Sequence, residues 1–193
     1  MTDKRGRLIV LSGPSGCGKG TVLADYFENY ASDSVRLSVS ATTRSPRLGE
    51  TDGVNYYFLT RDEFEERINE DGFLEWACFC GNYYGTPRRE VNMMLDSGTD
   101  VILEIEVQGA MKIMETVSGC VTVFIMPPSL EELRRRLTGR GTENPDVIDR
   151  RIEAAEHEIQ LADKYTYVIV NEDVDDSAHK LDCIIRAERL KNN

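Results

Sequence analysis

The chain has 193 residues, 40% hydrophobic and 30% charged, with a net charge of −11. That length suits one compact domain burying roughly 70% of its unfolded surface, and the composition is not that of a disordered or fibrous chain. The acidic balance excludes a general affinity for nucleic acid, which needs Lys and Arg in excess, and no apolar run approaches the about 18 residues required to cross a bilayer.

Met1 to Arg7 lacks the apolar stretch of a secretory signal. The first β-type run is Arg7–Leu11, followed by a Gly-rich turn; Val22, Leu23, Tyr26, Phe27 and Tyr30 then recur at the spacing of one helix face. From about Ser38 to Arg88 the pattern is irregular. It holds strand-like pieces at Arg36–Ser40 and Val54–Leu59, a helix at Asp62–Ile68 capped by Thr60 and Glu63, and most of the aromatic residues. This stretch is expected to be an inserted subdomain within a single domain spanning 1–193.

A helix is predicted to start at Thr86, with Pro87 in its first position, and strands at Val101–Val107, Val121–Met126 and Tyr167–Val170. Another helix starts at Ser129, where Glu132 completes a capping box. The segment from about Arg134 to Ala155, rich in Arg and broken by Gly139, Gly141 and Pro145, has the make-up of a flap. A last helix carries Leu181, Ile184, Ile185 and Glu188. Alternating strands and helices imply an α/β fold with a parallel-sheet core and helices on both faces. The five cysteines, Cys17, Cys78, Cys80, Cys120 and Cys183, form no recognisable disulfide framework, which fits a reducing, cytoplasmic compartment. Cys78 and Cys80 lack the second pair that a metal site needs.

The chemistry concentrates in Gly13-Pro14-Ser15-Gly16-Cys17-Gly18-Lys19, between a strand and a helix. Glycines let backbone N–H groups converge on an anion, the helix N-terminus adds its dipole, and Lys19 supplies a compact cation for β- and γ-phosphates. Gly20 and Thr21 follow, so the hydroxyl that commonly binds Mg²⁺ right after the Lys is absent. The ion would then be held mainly by phosphates and water, and no direct protein ligand is assigned. Cys17 sits among these N–H groups beside Lys19, which suggests either a thiolate or a small filler residue.

This chain resembles guanylate kinases over nearly its whole length. The matching blocks are Leu11–Lys19, Ser38–Glu50, Gly53–Phe58, Phe73–Ala77, Gly81–Pro87, Leu103–Gly109, Pro127–Ser129 and Arg136–Glu143. The resemblance implies a P-loop kinase core with a GMP-binding insert (38–88) and a helical lid (134–155), moving the γ-phosphoryl group of ATP, with Mg²⁺, onto GMP and dGMP in purine metabolism. It implies that ATP is held by Gly13 to Thr21 with Arg136, Arg140 and Asn171. It likewise implies that the GMP phosphate is held by Arg44, Arg47, Tyr56 and Tyr84, with Ser40 close by. Arginine forks and phenols suit that anion.

The same resemblance gives the guanine base to Glu75 and Thr86, with Glu104 and Glu106 nearby. A carboxylate can accept from both guanine N1–H and N2–H₂ and would repel adenine N1. Thr86 has a competing duty as an N-cap, and Glu104 and Glu106 divide between guanine contact and water-mediated Mg²⁺ contact. Lys19, Arg44, Arg136, Arg140 and Arg151 are the expected catalytic cations. Arg134, Arg135 and Arg150 are expected to be solvated helix charges, and Asn171 is either near the adenine or in a turn. A non-catalytic guanylate-kinase-like interaction module is the alternative, and such modules usually have degraded phosphate loops or lid arginines. Another small kinase, acting on AMP or a phosphorylated sugar, is a further alternative that Glu75 opposes.

Overall fold

The computed structural model describes residues 5–139 and 144–191. Five parallel strands form a sheet of order β2-β7-β1-β8-β9, where β1 is Leu8–Ser12, β2 Val35–Leu37, β7 Asp100–Glu104, β8 Val121–Met126 and β9 Tyr167–Val170. β1, β7 and β8 are largely buried runs of β-branched and aliphatic residues, as befits strands covered on both faces, whereas the edge strands β2 and β9 are partly exposed. A four-stranded sheet, β4-β3-β6-β5, comprises β3 (Ala41–Thr42), β4 (Tyr57–Phe58), β5 (Phe73–Phe79) and β6 (Asn82–Pro87).

The chain divides into two compact units. One comprises Met1–Leu8, Ser34–Leu103 and Gln108–Gly119; the other comprises Ile9–Asp33, Glu104–Val107 and Cys120–Asn193. In the first, α2 (Arg61–Asn69) carries the expected reciprocal capping box, because Thr60 and Glu63 each satisfy the other's backbone N–H. The core of the small sheet stacks Phe64 on Phe73 at 4.2 Å and on Tyr83 at 5.3 Å, beside buried Ala41. Helix α3 (Arg88–Asp96) and, after its first residue, α4 (Val107–Thr116) complete this unit.

In the second unit α1 (Lys19–Asn29) buries Val22, Leu23 and Tyr26, and α7 (Val174–Leu190) buries Leu181, Ile185 and Glu188. Helices α5 (Leu130–Gly139) and α6 (Pro145–Ile159) enclose Leu133, Leu137, Ile148 and Ala155.

Several expectations are corrected. The run read as one strand, Val101–Val107, ends at Glu104, and Val107 opens α4. The pieces read as Arg36–Ser40 and Val54–Leu59 shrink to β2 and β4. Thr86 does not start a helix: it stays in β6, paired with Glu75 of β5, and α3 begins at Arg88. Strand pairing outweighs a local cap signal. At α5 only half of the capping box forms. Ser129 Oγ accepts from the Glu132 N–H at 3.1 Å, while the Glu132 carboxylate is taken by Arg135 and Arg136.

Candidate active site

In the second unit β1 ends in the phosphate loop. Gly13 adopts φ 146°, and a Cβ there would stand 2.0 Å from the Ile125 carbonyl oxygen of β8. Gly18 caps α1 in the left-handed region, φ 96°, with Asn171 Nδ2 only 2.5 Å from where its Cβ would be. Only glycine meets both demands. No side chain caps α1, so the dipole and first N–H groups of the helix face the loop's concavity.

Lys19 folds back over the loop, donating from Nζ to the carbonyls of Gly13 at 2.6 Å and Pro14 at 3.1 Å. Arg136 is held on three sides. Its Nε donates to Glu132 at 2.8 Å, Nη1 to the Cys17 carbonyl at 3.3 Å and Nη2 to the Asn171 carbonyl at 2.9 Å. Arg135 and Arg136 pull the Glu132 carboxyl down to about 2. Arg151 Nη1 reaches Ser15 Oγ at 3.3 Å, so two of the expected arginines meet the loop. Arg140 lies outside the described residues. Arg134 pairs with Asp149 on the surface at 2.5 Å, and Arg150 Nε donates to the Asp146 carbonyl.

Asn171 is buried at the end of β9. It donates to the Cys17 carbonyl at 2.8 Å and accepts from Ser177 Oγ at 3.2 Å, so it braces the loop from behind. Of the two readings of Cys17, the filler is favoured: its side chain is fully buried, and that burial pushes the thiol up, with Lys19 and the loop's N–H groups pulling only partly back. Glu104 faces the open side of Gly20, its oxygens 3.7 and 4.0 Å from where a Gly20 Cβ would stand. Partial removal from water pushes its carboxyl up, and Lys19 opposes the shift. Lys19 and Glu106 both act electrostatically on Glu158. Among the described residues no three His, Cys, Asp or Glu side chains could hold a metal ion. Glu104 and Glu106 are exposed carboxylates, and Lys19 acts on Glu104.

In the first unit a second cationic site forms. The Arg44 fork pairs with Glu50 at 2.9 and 3.0 Å, the two side chains being 16% and 19% exposed. Glu50 also accepts the Arg47 N–H at 2.7 Å. The guanidinium lies 5.4 Å above the Tyr56 ring, and the Tyr56 and Tyr84 rings are 6.2 Å apart. Glu50, then the Tyr84 phenol, favours the charged Arg44, and Arg44 holds the Glu50 carboxyl below its usual range. Glu50 was not singled out from the sequence. Its signal is a carboxylate six residues after Arg44, returned to it by a turn in which Gly49 has φ 87°. The Ser40 carbonyl accepts the Tyr57 N–H at 2.9 Å, which ties the segment before β3 to the sheet.

Along β6, Tyr84 and Thr86 are two residues apart and share one face of the strand. Opposite Thr86 stands Glu75, 9% exposed, accepting from Thr86 Oγ1 at 2.7 Å. The hydroxyl read as a possible cap thus serves the carboxylate. A cationic fork with phenols at one place, and a buried carboxylate–hydroxyl pair about 7 Å along the strand, can bind a small molecule carrying a phosphate and a donor-rich edge.

The chain matches the guanylate kinase family model over residues 5–188. It is 54% identical to the guanylate kinase of Lactococcus lactis, over 97% of this chain and 91% of that protein. It is 52% identical to that of Clostridium perfringens, over 99% and 90%. The crystal structure of guanylate kinase from Anaplasma phagocytophilum superposes with a TM-score of 0.77 at 40% identity, covering 100% of this chain and 90% of that one.

Proposed function

The chain belongs to the guanylate kinase family, and from that premise we infer that it transfers the γ-phosphoryl group of ATP to GMP, giving ADP and GDP. The observation that carries the choice of acceptor is the buried Glu75–Thr86 pair on the strand face shared with Tyr84. Glu75 accepts guanine's N1–H and N2–H₂ together, and the acceptor at adenine N1 meets repulsion there. Arg44, Arg47, Tyr56 and Tyr84, with Ser40, hold the GMP phosphate as an array of charge-assisted donors.

ATP lies on the loop from Gly13 to Thr21. Lys19 exchanges its two carbonyl partners for phosphate oxygens, trading neutral hydrogen bonds for charge-assisted ones. A GMP phosphate oxygen attacks Pγ, the bond from Pγ to the β–γ bridging oxygen breaks, and ADP leaves with those electrons. Lys19, Arg44, Arg136, Arg140 and Arg151 oppose the charge spread over the equatorial oxygens, and no covalent enzyme intermediate is needed. Asn171 acts through the loop it braces. Mg²⁺, when bound with ATP, neutralises phosphate charge; Glu104 and Glu106 would hold its waters.

The segment 134–155 acts as a lid and 38–88 as the acceptor insert. Five free cysteines fit a cytoplasmic setting, and no helix among the described residues is long and apolar enough to cross a membrane. The non-catalytic module is disfavoured by a loop that keeps Lys19 and two arginines in contact with it. Product analysis by phosphorus NMR tests the reading: ATP, GMP and Mg²⁺ should yield ADP and GDP in equal amounts, and a chelator should stop the reaction. ATP hydrolysis indifferent to GMP would contradict it.

A further inference from the structure

Gly109 is the third residue of α4 and is buried. A Cβ built there would stand 2.8 Å from Glu75 Oε2 and 3.2 Å from its Cδ. Real side chains do not approach so closely, so an added methyl group must displace something. The helix cannot easily retreat, because Ala110 and Ile113 on the next positions are fully buried. Lys112, one turn on, ties α4 to the β5 carbonyl of Trp76 at 3.0 Å. The added methyl group would press on the end of the Glu75 side chain, one oxygen of which is held by Thr86.

We propose that Gly109 is a specificity-positioning residue: the absence of a side chain there is what lets the Glu75 carboxylate lie in the plane where it meets the guanine edge, between Thr86 and the first turn of α4. This deepens the assignment of Glu75 to the base and rests on it. The helical setting of Gly109 makes the position unusual. Alanine is the better helix former, so glycine here costs the helix stability, and the space it leaves is used by a carboxylate instead of by packing.

The test is Gly109→Ala, with GMP and AMP turnover and the melting midpoint measured side by side. The expected result is a protein that melts no earlier and gives the wild-type thermal shift with ATP, but loses about tenfold or more in kcat/KM for GMP, mainly through KM, with AMP unchanged. In the double variant Glu75→Asp/Gly109→Ala the shorter acid withdraws from the methyl group. GMP turnover should then rise above that of Gly109→Ala alone. Unchanged GMP kinetics in Gly109→Ala would overturn the inference, as would a low melting midpoint that Glu75→Asp does not rescue, since the methyl group would then be striking the helix packing. The underlying assignment fails separately: wild type would show no preference for GMP over AMP, or Glu75→Gln would leave that preference intact.

Discussion

Arg44 is held before any ligand arrives. Its Nη1 and Nη2 donate to Glu50 and Nη1 also to the Ser45 carbonyl, which fixes the plane of the fork. Preorganisation of this kind lowers the ordering cost of binding. Glu50→Gln should therefore raise KM for GMP by about tenfold while kcat changes far less. A variant with wild-type KM would show that Arg44 needs no such support. The pair also has a signature in acid. Because the folded state holds the Glu50 carboxyl below the ordinary 4.5, its contribution is present above that value and lost as pH falls through the lowered one. The stability gap between wild type and Glu50→Gln should close only in that acid window.

Cys17 shows how burial decides between two readings that the sequence leaves open. Adjacent N–H groups and a Lys argue for a thiolate, but complete burial outweighs them and pushes the thiol up. At pH 8 it should be alkylated more slowly than exposed Cys78, Cys80 and Cys183. Mass-spectrometric mapping that found it fastest would contradict the burial argument.

At the scale of elements, the phosphate loop is supported from α5. Leu137 is 1% exposed within the α5–α6 cluster, and its Cδ2 stands 2.7 Å from where a Gly16 Cβ would be. Leu137→Ala removes packing from both the cluster and the loop, so unfolding should lose about 2–4 kcal/mol, as large-to-small core changes do. A loss below about 1 kcal/mol in denaturant titration would mean that the cluster collapses around the gap. Elements defined by local chemistry were legible in the sequence. The α2 cap, β8 and β9 depend on contiguous residues and formed where expected. Those decided by distant partners were not: Thr86 was claimed by β5 across the sheet, Glu132 by two arginines, and the β-branched Val107 disguised the start of α4.

At the scale of the molecule, a chain of net charge −11 builds two local concentrations of positive charge. One unit gathers Lys19, Arg136 and Arg151 around the loop, and the other gathers Arg44 and Arg47 around Glu50. Anion affinity is thus expected of these sites, not of the overall field. Candidate residues for both sites could be named from the sequence because glycine loops, arginine forks and a single acid carry their chemistry locally. The bracing by Glu50, Asn171 and Gly109 could not, since each acts through partners that only the fold brings near.

The central claim is that guanine is chosen by Glu75. Its most direct test is kcat/KM for GMP and for AMP, measured by ADP release in wild type and in Glu75→Gln. Wild type should strongly prefer GMP. The amide keeps one acceptor and gains a donor, so GMP should lose roughly ten- to hundredfold, the equivalent of about 1.5–3 kcal/mol for a hydrogen bond to a charged group. AMP should hold or rise, and the ratio should contract. Comparable wild-type rates for the two monophosphates, or a fall in both that leaves the ratio unchanged, would contradict the account.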